Sequence, residues 1–465
     1  MTFRSSGEAQ ENFSCKKTAL PPLTSGKEKG IINMNICSYL ADKVTTMEKK
    51  RTYFCIDMKC FYASVECAER GLNPFETCLV VADKTRGKNA LCLAISPKMK
   101  ALGIKNRCRL SEIPAGVKYV AAPPRMSLYV DYSARIYGIY LRYMDKSDIH
   151  VYSVDECFLD VTDYLKLYGK TPVEFAKFLI DEIGRELGIP STAGVGSNLY
   201  LAKIALDITA KHSPTHIGIL DEESYRRTLW DHRPITDFWQ IAAGTARRLA
   251  SHGLYDMRAI AEAPEELLYR IFGVNAELLI DHAWGRESCT IADIKAYKGK
   301  SRSISSSQIL PKDYTIEEAR LVLTEMTDEG CRRMIREKVI ASEVSIFVGY
   351  SFGTIAPTGG SQRMHERTAV YSVIREYVLR IFDESTVRGV PIRRLGIAFS
   401  GIADEGAEGY DFFTDRERID KEKRAEQAVI EIKRKMGKNA ILRAMDLEKG
   451  ATTVERNGMI GGHKA

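Results

Sequence analysis

Two short apolar runs in the first half of the chain end abruptly in acidic residues. Tyr53–Ile56 stops at Asp57, and Val151–Val154 stops at the pair Asp155–Glu156. A short apolar run of this kind predicts a buried strand, and the acid then lies at the tip of that strand. The hydrophobic pattern therefore predicts two strands that each present carboxylates at one end.

Strand-like and helix-like patterns alternate around these two runs. Residues 79–82 form another short apolar run, and residues 61–70 have the pattern of a helix. Val173–Leu187 carries large apolar side chains four residues apart, which is the spacing of one helix face. This alternation predicts an α/β or α+β core over roughly residues 51–225.

The pattern changes character over residues 226–298. All three tryptophans of the chain fall here, and glycines break the helical stretches into short pieces. This segment predicts a small all-helical domain. Gly244–Gly253, which contains Arg247 and Arg248, is similar to a helix–hairpin–helix module, whose backbone amides can hold a phosphate.

A third pattern follows in the C-terminal part. Glu343–Phe352 alternates strictly, as a half-buried strand does, and the elements around it predict the order βαββαβ. On the extended run Ser361–Thr368, the alternation puts Arg363, His365 and Arg367 on a common face. Such a face could follow the phosphates of a nucleic acid. The alternative is an ordinary solvated strand face.

The composition excludes several classes of protein. Apolar residues make up 45% and charged residues 28%, as in an ordinary globular protein, so wholesale disorder is excluded. No apolar run approaches the roughly 18 residues of a membrane span. Eleven cysteines without a C-x-x-C pair indicate free thiols in a reducing compartment. Lys and Arg exceed Asp and Glu by 68 to 61, which is compatible with a polyanionic partner.

Asp57, Asp155 and Glu156 are the candidate chemical centre. Adjacent strands of one sheet could bring these acids together, although an Asp–Glu pair alone is more often a solvated turn. Three clustered carboxylates repel one another, so the arrangement makes sense only with bound cations. Mg²⁺ prefers oxygen ligands, and two such ions would activate a 3′-hydroxyl and stabilise a leaving pyrophosphate.

Three motifs identify a family. Cys55–Glu66 (CIDMKCFYASVE) resembles the first motif of the Y-family, or translesion, DNA polymerases. Tyr152–Glu156 (YSVDE) resembles their second acidic motif, and Ala202–Ala205 (AKIA) resembles the helix that follows it. Ser96–Ile104 (SPKMKALGI) is most similar to the UmuC/ImpB branch. The motifs occur in the expected order.

The resemblance implies an α+β multidomain fold, a right-hand polymerase with palm, small fingers, helical thumb and βαββαβ little finger. The implied parts are a flexible N-terminal extension (1–50), a catalytic palm (51–74 and 119–225), fingers (75–118), a thumb with helix–hairpin–helix-like elements (226–298), a DNA-binding little finger (299–401) and a C-terminal tail (402–465). In that tail, Tyr410, Phe412 and Phe413 lie where relatives carry a sliding-clamp peptide, without its glutamine.

The resemblance also implies a metal site. Asp57, Asp155 and Glu156, with the backbone carbonyl of Met58, would hold two Mg²⁺ ions, and Asp155 and Glu156 would be the catalytic acids. Tyr62 falls where the family places its steric gate, a ring that excludes a 2′-hydroxyl. The alternative for Tyr62 is a core aromatic residue, a role that fits its neighbour Phe61 better.

Further positions would contact the nucleotide and the DNA. Lys100 stands where many members carry an arginine for the triphosphate, and lysine supplies a charge without a bidentate fork. Lys211 matches the triphosphate lysine after the AKIA helix, with one extra residue between them. The residues expected at the DNA backbone are Arg247, Arg248, Arg363 and Arg367.

The implied activity is template-directed, low-fidelity DNA synthesis in lesion bypass of the SOS type, in the cytoplasm at the bacterial nucleoid. The implied partners are primer–template DNA, deoxynucleoside triphosphates, the sliding clamp and an accessory subunit, with no membrane. Two alternatives belong to other classes. A non-catalytic DNA-binding or clamp-associated factor would have no use for three repelling acids. A nucleotide cyclase with a palm domain would leave the helical and βαββαβ segments unexplained.

Overall fold

The computed structural model describes residues 50–465 apart from 300–301, 352 and 408–415. The chain divides into two compact units, one ending at Tyr297 and the other beginning at Lys298. The predicted N-terminal extension, apart from residue 50, lies outside the described residues. The predicted clamp peptide with Tyr410, Phe412 and Phe413 also lies outside them.

The first unit is built around two sheets. Its described strands are β1 (Tyr53–Met58), β2 (Leu79–Val81), β3 (Ala94–Ile95), β4 (Val120–Ala122), β5 (Ile149–Val151), β6 (Glu156–Asp160), β7 (Ser191–Gly196) and β8 (Ile217–Leu220). The central sheet has the order β5-β6-β1-β7-β8, and β1 pairs antiparallel with both of its neighbours. The small sheet has the order β3-β2-β4.

Helices cover both faces of the central sheet. Those between the strands are α1 (Phe61–Ala68), α2 (Pro97–Ala101), α3 (Met126–Leu141), α4 (Tyr164–Tyr168), α5 (Pro172–Leu187) and α6 (Leu199–Ile204). Helix α5 confirms the helix predicted from its apolar spacing. Thr171 and Glu174 form a capping box at its start, and Gly188 ends it in the left-handed conformation.

The alternation of β1 decides what lies on each face. Phe54 and Ile56 pack in the large core that contains the apolar face of α5, whereas Tyr53 and Cys55 pack with residues of α6. Because successive strand side chains point to opposite faces, Asp57 shares the face of Cys55. The strand therefore directs this acid toward the α6 side of the sheet.

Helix α6 lies unusually close to β7 because glycines line the contact. A Cβ atom on Gly196 would lie 2.1 Å from the backbone nitrogen of Ala202, and one on Gly194 would lie 2.0 Å from the Ala202 carbonyl oxygen. Real Cβ atoms do not approach so closely, so both positions require glycine. The close packing sets the height of α6 above the sheet.

The predicted all-helical segment follows β8. Its helices are α7 (Glu222–Leu229), α8 (Ala243–Ala250), α9 (Met257–Glu262), α10 (Glu265–Phe272), α11 (Asn275–Ala283) and α12 (Ile291–Ala296). The tryptophan rings of Trp230 and Trp284 meet edge to face, with centroids 5.3 Å apart. Arg258 places its guanidinium 5.0 Å from the centre of the Trp230 ring. Two of the three tryptophans that marked this segment in the sequence therefore pack against each other within it, whereas Trp239 lies against Tyr152 and Phe158.

The second unit has the predicted βαββαβ order. Its elements are β9 (Ile304–Tyr314), α13 (Ile316–Glu337), β10 (Val339–Tyr350), β11 (Thr358–Thr368), α14 (Tyr371–Ser385), β12 (Ile392–Ser400) and the short β13 (Ala403–Asp404), which pairs with β10. The main sheet has the order β11-β10-β12-β9, and its paired strands are antiparallel. Its apolar face packs against α13 and α14.

The last part of the chain adds α15 (Arg416–Met436), α16 (Thr453–Asn457) and the hairpin of β14 (Met459–Ile460) and β15 (His463–Lys464). Buried ion pairs join it to α13. Arg332 of α13 binds Asp328 at 2.6 Å and Glu426 of α15 at 3.1 Å, and Arg443 binds Asp328 at 2.8 Å. In the part of the chain that the structure describes, no helix is long and apolar enough to cross a bilayer.

Candidate active site

The pairing of β1 with β6 brings the predicted acids together. Asp57 lies directly opposite Glu156 in the register, and the backbone N–H of Met58 donates to the carbonyl of Asp155 at 3.0 Å. Antiparallel partners that face each other have Cβ atoms about 5 Å apart. The three acids therefore occupy one end of the central sheet. The strand predicted over Val151–Val154 is wrong, because β5 ends at Val151, Asp155 lies in the bend that follows, and Glu156 begins β6.

Glu156 is held by two neighbours on the α6 side. The Nζ atom of Lys203 lies 2.6 Å from Glu156 Oε1, and the Cys55 thiol donates to the same oxygen at 3.0 Å. Lys203 also pairs with Asp207 at 3.2 Å, one helical turn later. Lys203 is 8% exposed, so this is a buried ion pair.

Sequence reasoning found the AKIA motif but assigned no role to Lys203 or Asp207. The available signal was the spacing of four residues between them, which lets a lysine and an acid pair along one helix. That spacing could not reveal Glu156 as the third partner. The register of β6 and the close approach of α6 to β7 decide that contact.

The cluster carries more negative charge than its neighbours offset. The pKa of Asp57 is raised to about 8 by burial together with the charges of Asp155 and Glu156, while the charge of Lys203 opposes the rise. Burial also raises the pKa of Glu156, again against the effect of Lys203. One lysine therefore does not neutralise the site.

The carboxylates of Asp57, Asp155 and Glu156 are the type of ligand that binds a hard divalent cation, although their side chains do not lie close enough together to surround one ion. Within the described ranges, no three His, Cys, Asp or Glu side chains are grouped closely enough to hold a metal ion. Carboxylate oxygens are the ligands that Mg²⁺ prefers, and a cation would remove the repulsion that raises the pKa of Asp57. Ser153 donates to Asp155 at 2.7 Å and orients that carboxylate.

Tyr62 and Phe61 take the separate positions that their placement on a helix predicts. Phe61 is 3% exposed and belongs to the core, whereas Tyr62 is only partly buried. The Tyr62 ring stacks on the ring of Tyr129, with centroids 4.5 Å apart and planes 18° apart. Burial raises the pKa of Tyr62, and the charge of Asp155 raises it further.

The predicted nucleotide lysines differ in their surroundings. Burial raises the pKa of the Cys60 thiol and the charge of Lys100 opposes that rise, so Lys100 on α2 lies near the turn between β1 and α1. Lys211 is exposed in the short 3₁₀ turn Ala210–His212 that continues α6. A further lysine, Lys59, lies in the β1–α1 turn, with its Nζ 3.0 Å from Nδ1 of His216. Sequence reasoning did not single out Lys59.

The two arginines of α8 have different neighbours. Arg247 is exposed. Arg248 donates to the carbonyl of Ile271 and lies 4.6 Å from the centre of the Phe272 ring. Its contacts therefore join α8 to the end of α10.

The edge strand β11 carries the three residues of the predicted basic face. Arg363, His365 and Arg367 are all exposed, and they alternate with residues such as the buried Met364. β11 is an edge strand, and its pairing with β10 is irregular between Arg363 and Thr368, where the His365 ring lies 6.3 Å from the Tyr377 ring of α14. Arg363 pairs with Glu343 on the face of the sheet away from α13 and α14. On the same face, Arg394 of β12 lies 5.2 Å from the ring of Phe347, which is 37% exposed. The result is a basic, partly aromatic surface.

Comparison with known proteins agrees with this architecture. Residues 56–207 match the impB/mucB/samB family, and residues 301–412 match the C-terminal domain of the same family. The chain belongs to the impB/mucB/samB family. The matched segments contain the acids of the first unit and the βαββαβ sheet of the second.

Relatives in this family are similar over nearly their whole length. UvrX of Bacillus subtilis (strain 168), named for UV-damage repair, is 32% identical over 425 residues, which are 90% of this chain and 98% of the relative. DNA polymerase IV 2 of the same organism is 31% identical over 429 residues, 90% of this chain and 100% of the relative. DNA polymerase IV 2 of Halalkalibacterium halodurans is 31% identical over 418 residues, 89% of this chain and 99% of the relative.

A solved Y-family DNA polymerase chimera has the same fold. It superimposes with a TM-score of 0.57 at 21% identity and covers 76% of this chain and 100% of the chimera. The predicted fold class and the predicted membership of the UmuC/ImpB-like branch of Y-family DNA polymerases are confirmed. The impB/mucB/samB protein described here is thus a DNA-directed DNA polymerase by family.

Proposed function

We propose that this impB/mucB/samB protein performs template-directed, low-fidelity DNA synthesis past damaged template bases by two-metal phosphoryl transfer. The observation that carries the proposal is the pairing of Asp57 opposite Glu156, with Asp155 hydrogen-bonded to the same strand. The raised pKa of Asp57 supports it, because an acidic cluster of this kind is stable in its charged form only with cations nearby.

In this proposal the acids and the carbonyl of Met58 would hold two Mg²⁺ ions. The bound ions would activate the primer 3′-hydroxyl and stabilise the leaving pyrophosphate. Lys203 and Cys55 orient the Glu156 carboxylate, and Ser153 orients Asp155. Asp155 and Glu156 are the proposed catalytic acids.

Other side chains would select and hold the substrates. Tyr62 would lie beneath the sugar as the steric gate, and Lys100 and Lys211 would bind the triphosphate. Arg363 and Arg367 on the exposed face of β11 would bind the duplex backbone without reading bases. Arg247 of α8 would bind a phosphate of the DNA backbone. Arg248 would also bind the backbone while it keeps its contact with α10.

The family domains follow as part of the proposal: palm over 51–74 and 119–225, fingers over 75–118, thumb over 226–298 and little finger over 299–401. A small fingers domain would close only weakly on the new base pair, so induced fit would contribute little to the discrimination between correct and incorrect nucleotides. An SOS-type repair role, a nucleoid location, a sliding-clamp contact and an accessory subunit remain predictions from the family resemblance.

Primer extension with Mg²⁺ and all four deoxynucleotides tests the proposal, using one undamaged template and one with an abasic site. The control is the Asp155→Ala/Glu156→Ala double variant. We expect short extension by the natural protein that passes the abasic site, and retained DNA binding without extension by the variant. Synthesis by the variant would overturn the assignment of these acids. DNA binding without synthesis by the natural protein would favour the non-catalytic factor.

A further inference from the structure

We propose that Tyr129 is a positioning residue for the Tyr62 ring, and that it thereby sets how strictly the enzyme excludes a ribose. The inference rests on the proposed role of Tyr62 as steric gate and adds the element that holds the gate in place. Tyr129 does not reach the substrate in this scheme, because it acts through the ring that it supports.

The two rings form a stacked pair from different helices. Tyr62 is on α1 and Tyr129 on α3, and their planes are 18° apart at a centroid distance of 4.5 Å. Tyr129 is 0% exposed, whereas Tyr62 is only partly buried. The pair therefore has one fully buried member and one partly exposed member, and the exposed member is on the helix that directly follows the strand of Asp57.

A buried carboxylate fixes Tyr129. The Tyr129 hydroxyl donates to Glu66 Oε1 at 2.8 Å. Arg125 binds both Glu66 oxygens, through Nε at 2.9 Å and Nη2 at 2.8 Å, and Arg70 pairs with the same carboxylate. Glu66 is 0% exposed, so these donors satisfy a group that burial would otherwise make costly.

The spacing makes the arrangement a two-point connection between helices. Tyr62 and Glu66 are four residues apart on α1, and Arg125 and Tyr129 are four residues apart at the start of α3. Residues at this spacing share one helix face. The first contact is the stack of the Tyr62 ring on the Tyr129 ring, and the second is the binding of the Glu66 carboxylate by Arg125 and the Tyr129 hydroxyl. Helix α1 can therefore neither rotate nor slide without breaking one of these contacts.

The start of α1 has no side-chain cap. Cys60 is the residue before the helix, it has the left-handed conformation, and its side chain makes no capping hydrogen bond. The Ser64 hydroxyl holds the backbone there by donating to the Lys59 carbonyl at 2.6 Å. The stack across to α3 adds a restraint on the side chain of Tyr62, in the second position of the helix. Stacking against an immobile ring is the contact that restrains the Tyr62 side chain itself.

Tyr129→Leu and Tyr129→Phe test the proposal. Leucine removes the stacked ring, and we expect the ratio of kcat/KM for a deoxynucleotide to that for the matching ribonucleotide to fall roughly two- to tenfold, the equivalent of one aromatic pair. Phenylalanine keeps the ring and core volume but removes the hydroxyl bound to Glu66, so we expect a smaller fall in the same ratio. A residue with only a structural role would lower the melting temperature and leave the ratio unchanged.

The readout is single-nucleotide insertion with both sugars, combined with a melting curve for each variant. Tyr62→Ala provides the reference, and the double variant Tyr62→Ala/Tyr129→Leu should be no less selective than Tyr62→Ala alone. An additional loss in the double variant would overturn the proposal, because Tyr129 would then act without the gate. An unchanged ratio in both single variants at position 129 would also overturn it; if Tyr129→Leu does not fold, Tyr129→Phe decides alone. An unchanged ratio in Tyr62→Ala would instead refute the steric gate, so the two failures are distinguishable.

Discussion

Asp57→Asn should make the metal-free protein more stable at alkaline pH while removing the proposed metal ligand. The substitution keeps the shape of the side chain and deletes its charge. In the natural protein that charge is buried beside Asp155 and Glu156, with Lys203 as the offsetting cation. The gain in stability should therefore appear only at pH values at which Asp57 would be ionised.

The magnitude follows from the pKa of Asp57, which is about 8 in the folded protein against an ordinary value of 3.8. The folded form keeps a proton that the unfolded chain releases. This proton stabilises the fold fully below pH 3.8, and its contribution declines as the pH rises and is gone above about pH 8. The slope is about 1.4 kcal/mol per pH unit between these values, so about 2 kcal/mol is lost from pH 6 to pH 8. Asn has no such dependence.

Thermal unfolding of the full chain in EDTA measures the difference between the natural protein and Asp57→Asn at each pH. From pH 6 to pH 8 the melting temperature of the variant should rise relative to the natural protein by about 5 °C for the first unit. Titrating groups that do not interact with Asp57 are common to both proteins and cancel. Mg²⁺ should reduce the difference at pH 8, because the ion stabilises only the folded natural site.

Asp160 provides the matched control, because it lies on the neighbouring strand β6 but has its own cationic partner, Arg51, at 3.1 Å. The melting temperature of Asp160→Asn relative to the natural protein should not rise over the same pH range. A constant difference between the natural protein and Asp57→Asn from pH 6 to pH 8 would refute the electrostatic reasoning. So would an equal response of Asp160→Asn.

Three further predictions concern the elements around the site. Gly196→Ala should lower the free energy of unfolding by at least about 3 kcal/mol in urea titrations, because its Cβ would meet the Ala202 nitrogen at 2.1 Å. Lys203→Met should lower it by about 3–5 kcal/mol in the same titration, since it leaves a buried carboxylate without its cation. Arg363→Ala and Arg367→Ala should each reduce by about one unit the slope of log affinity for duplex DNA against log salt concentration.

Each of these has a control in the same chain. Gly184 in α5 has open space around its Cβ position, so Gly184→Ala should be neutral or stabilising by up to about 1 kcal/mol. Lys203→Met combined with Glu156→Gln should cost less than Lys203→Met alone, and equal costs would show that the pair is not coupled. Arg320, on α13 and paired with Asp383 at 3.2 Å, should leave the DNA salt slope unchanged on substitution by Ala.

Local patterns in the sequence were sufficient for β1 and for the βαββαβ order. They were wrong for the second acidic run, because β5 ends at Val151 and Glu156 begins β6 instead of following a strand over Val151–Val154. The apolar run before Asp57 predicted a buried strand, and β1 spans Tyr53–Met58. The alternating run predicted from Glu343 is longer in the structure, because β10 begins at Val339. The first residues of β10 pair with β13, a contact that depends on chain more than sixty positions away.

Contacts that depend on tertiary packing could not be predicted in the same way. Lys203 contacts Glu156 because the glycines of β7 let α6 approach the sheet. Tyr62 is supported by Tyr129 of α3, which lies 67 positions later in the sequence. Arg248 has a pattern suited to phosphate, yet its guanidinium donates to the carbonyl of Ile271. A basic residue in a sequence indicates a positive charge but does not indicate which neighbouring group its side chain binds.

The ion pairs between α13 and the end of the chain have a genetic consequence. Asp328 and Arg332 are 2% and 4% exposed, and their partners Glu426 and Arg443 are encoded more than ninety codons downstream. A stop codon just before α15 would leave these charges in the second unit without partners and uncover the helix that they line. Nonsense mutations between codons 416 and 443 should therefore be as damaging to this unit as substitutions in its core, and the four charged positions should be exchanged only together.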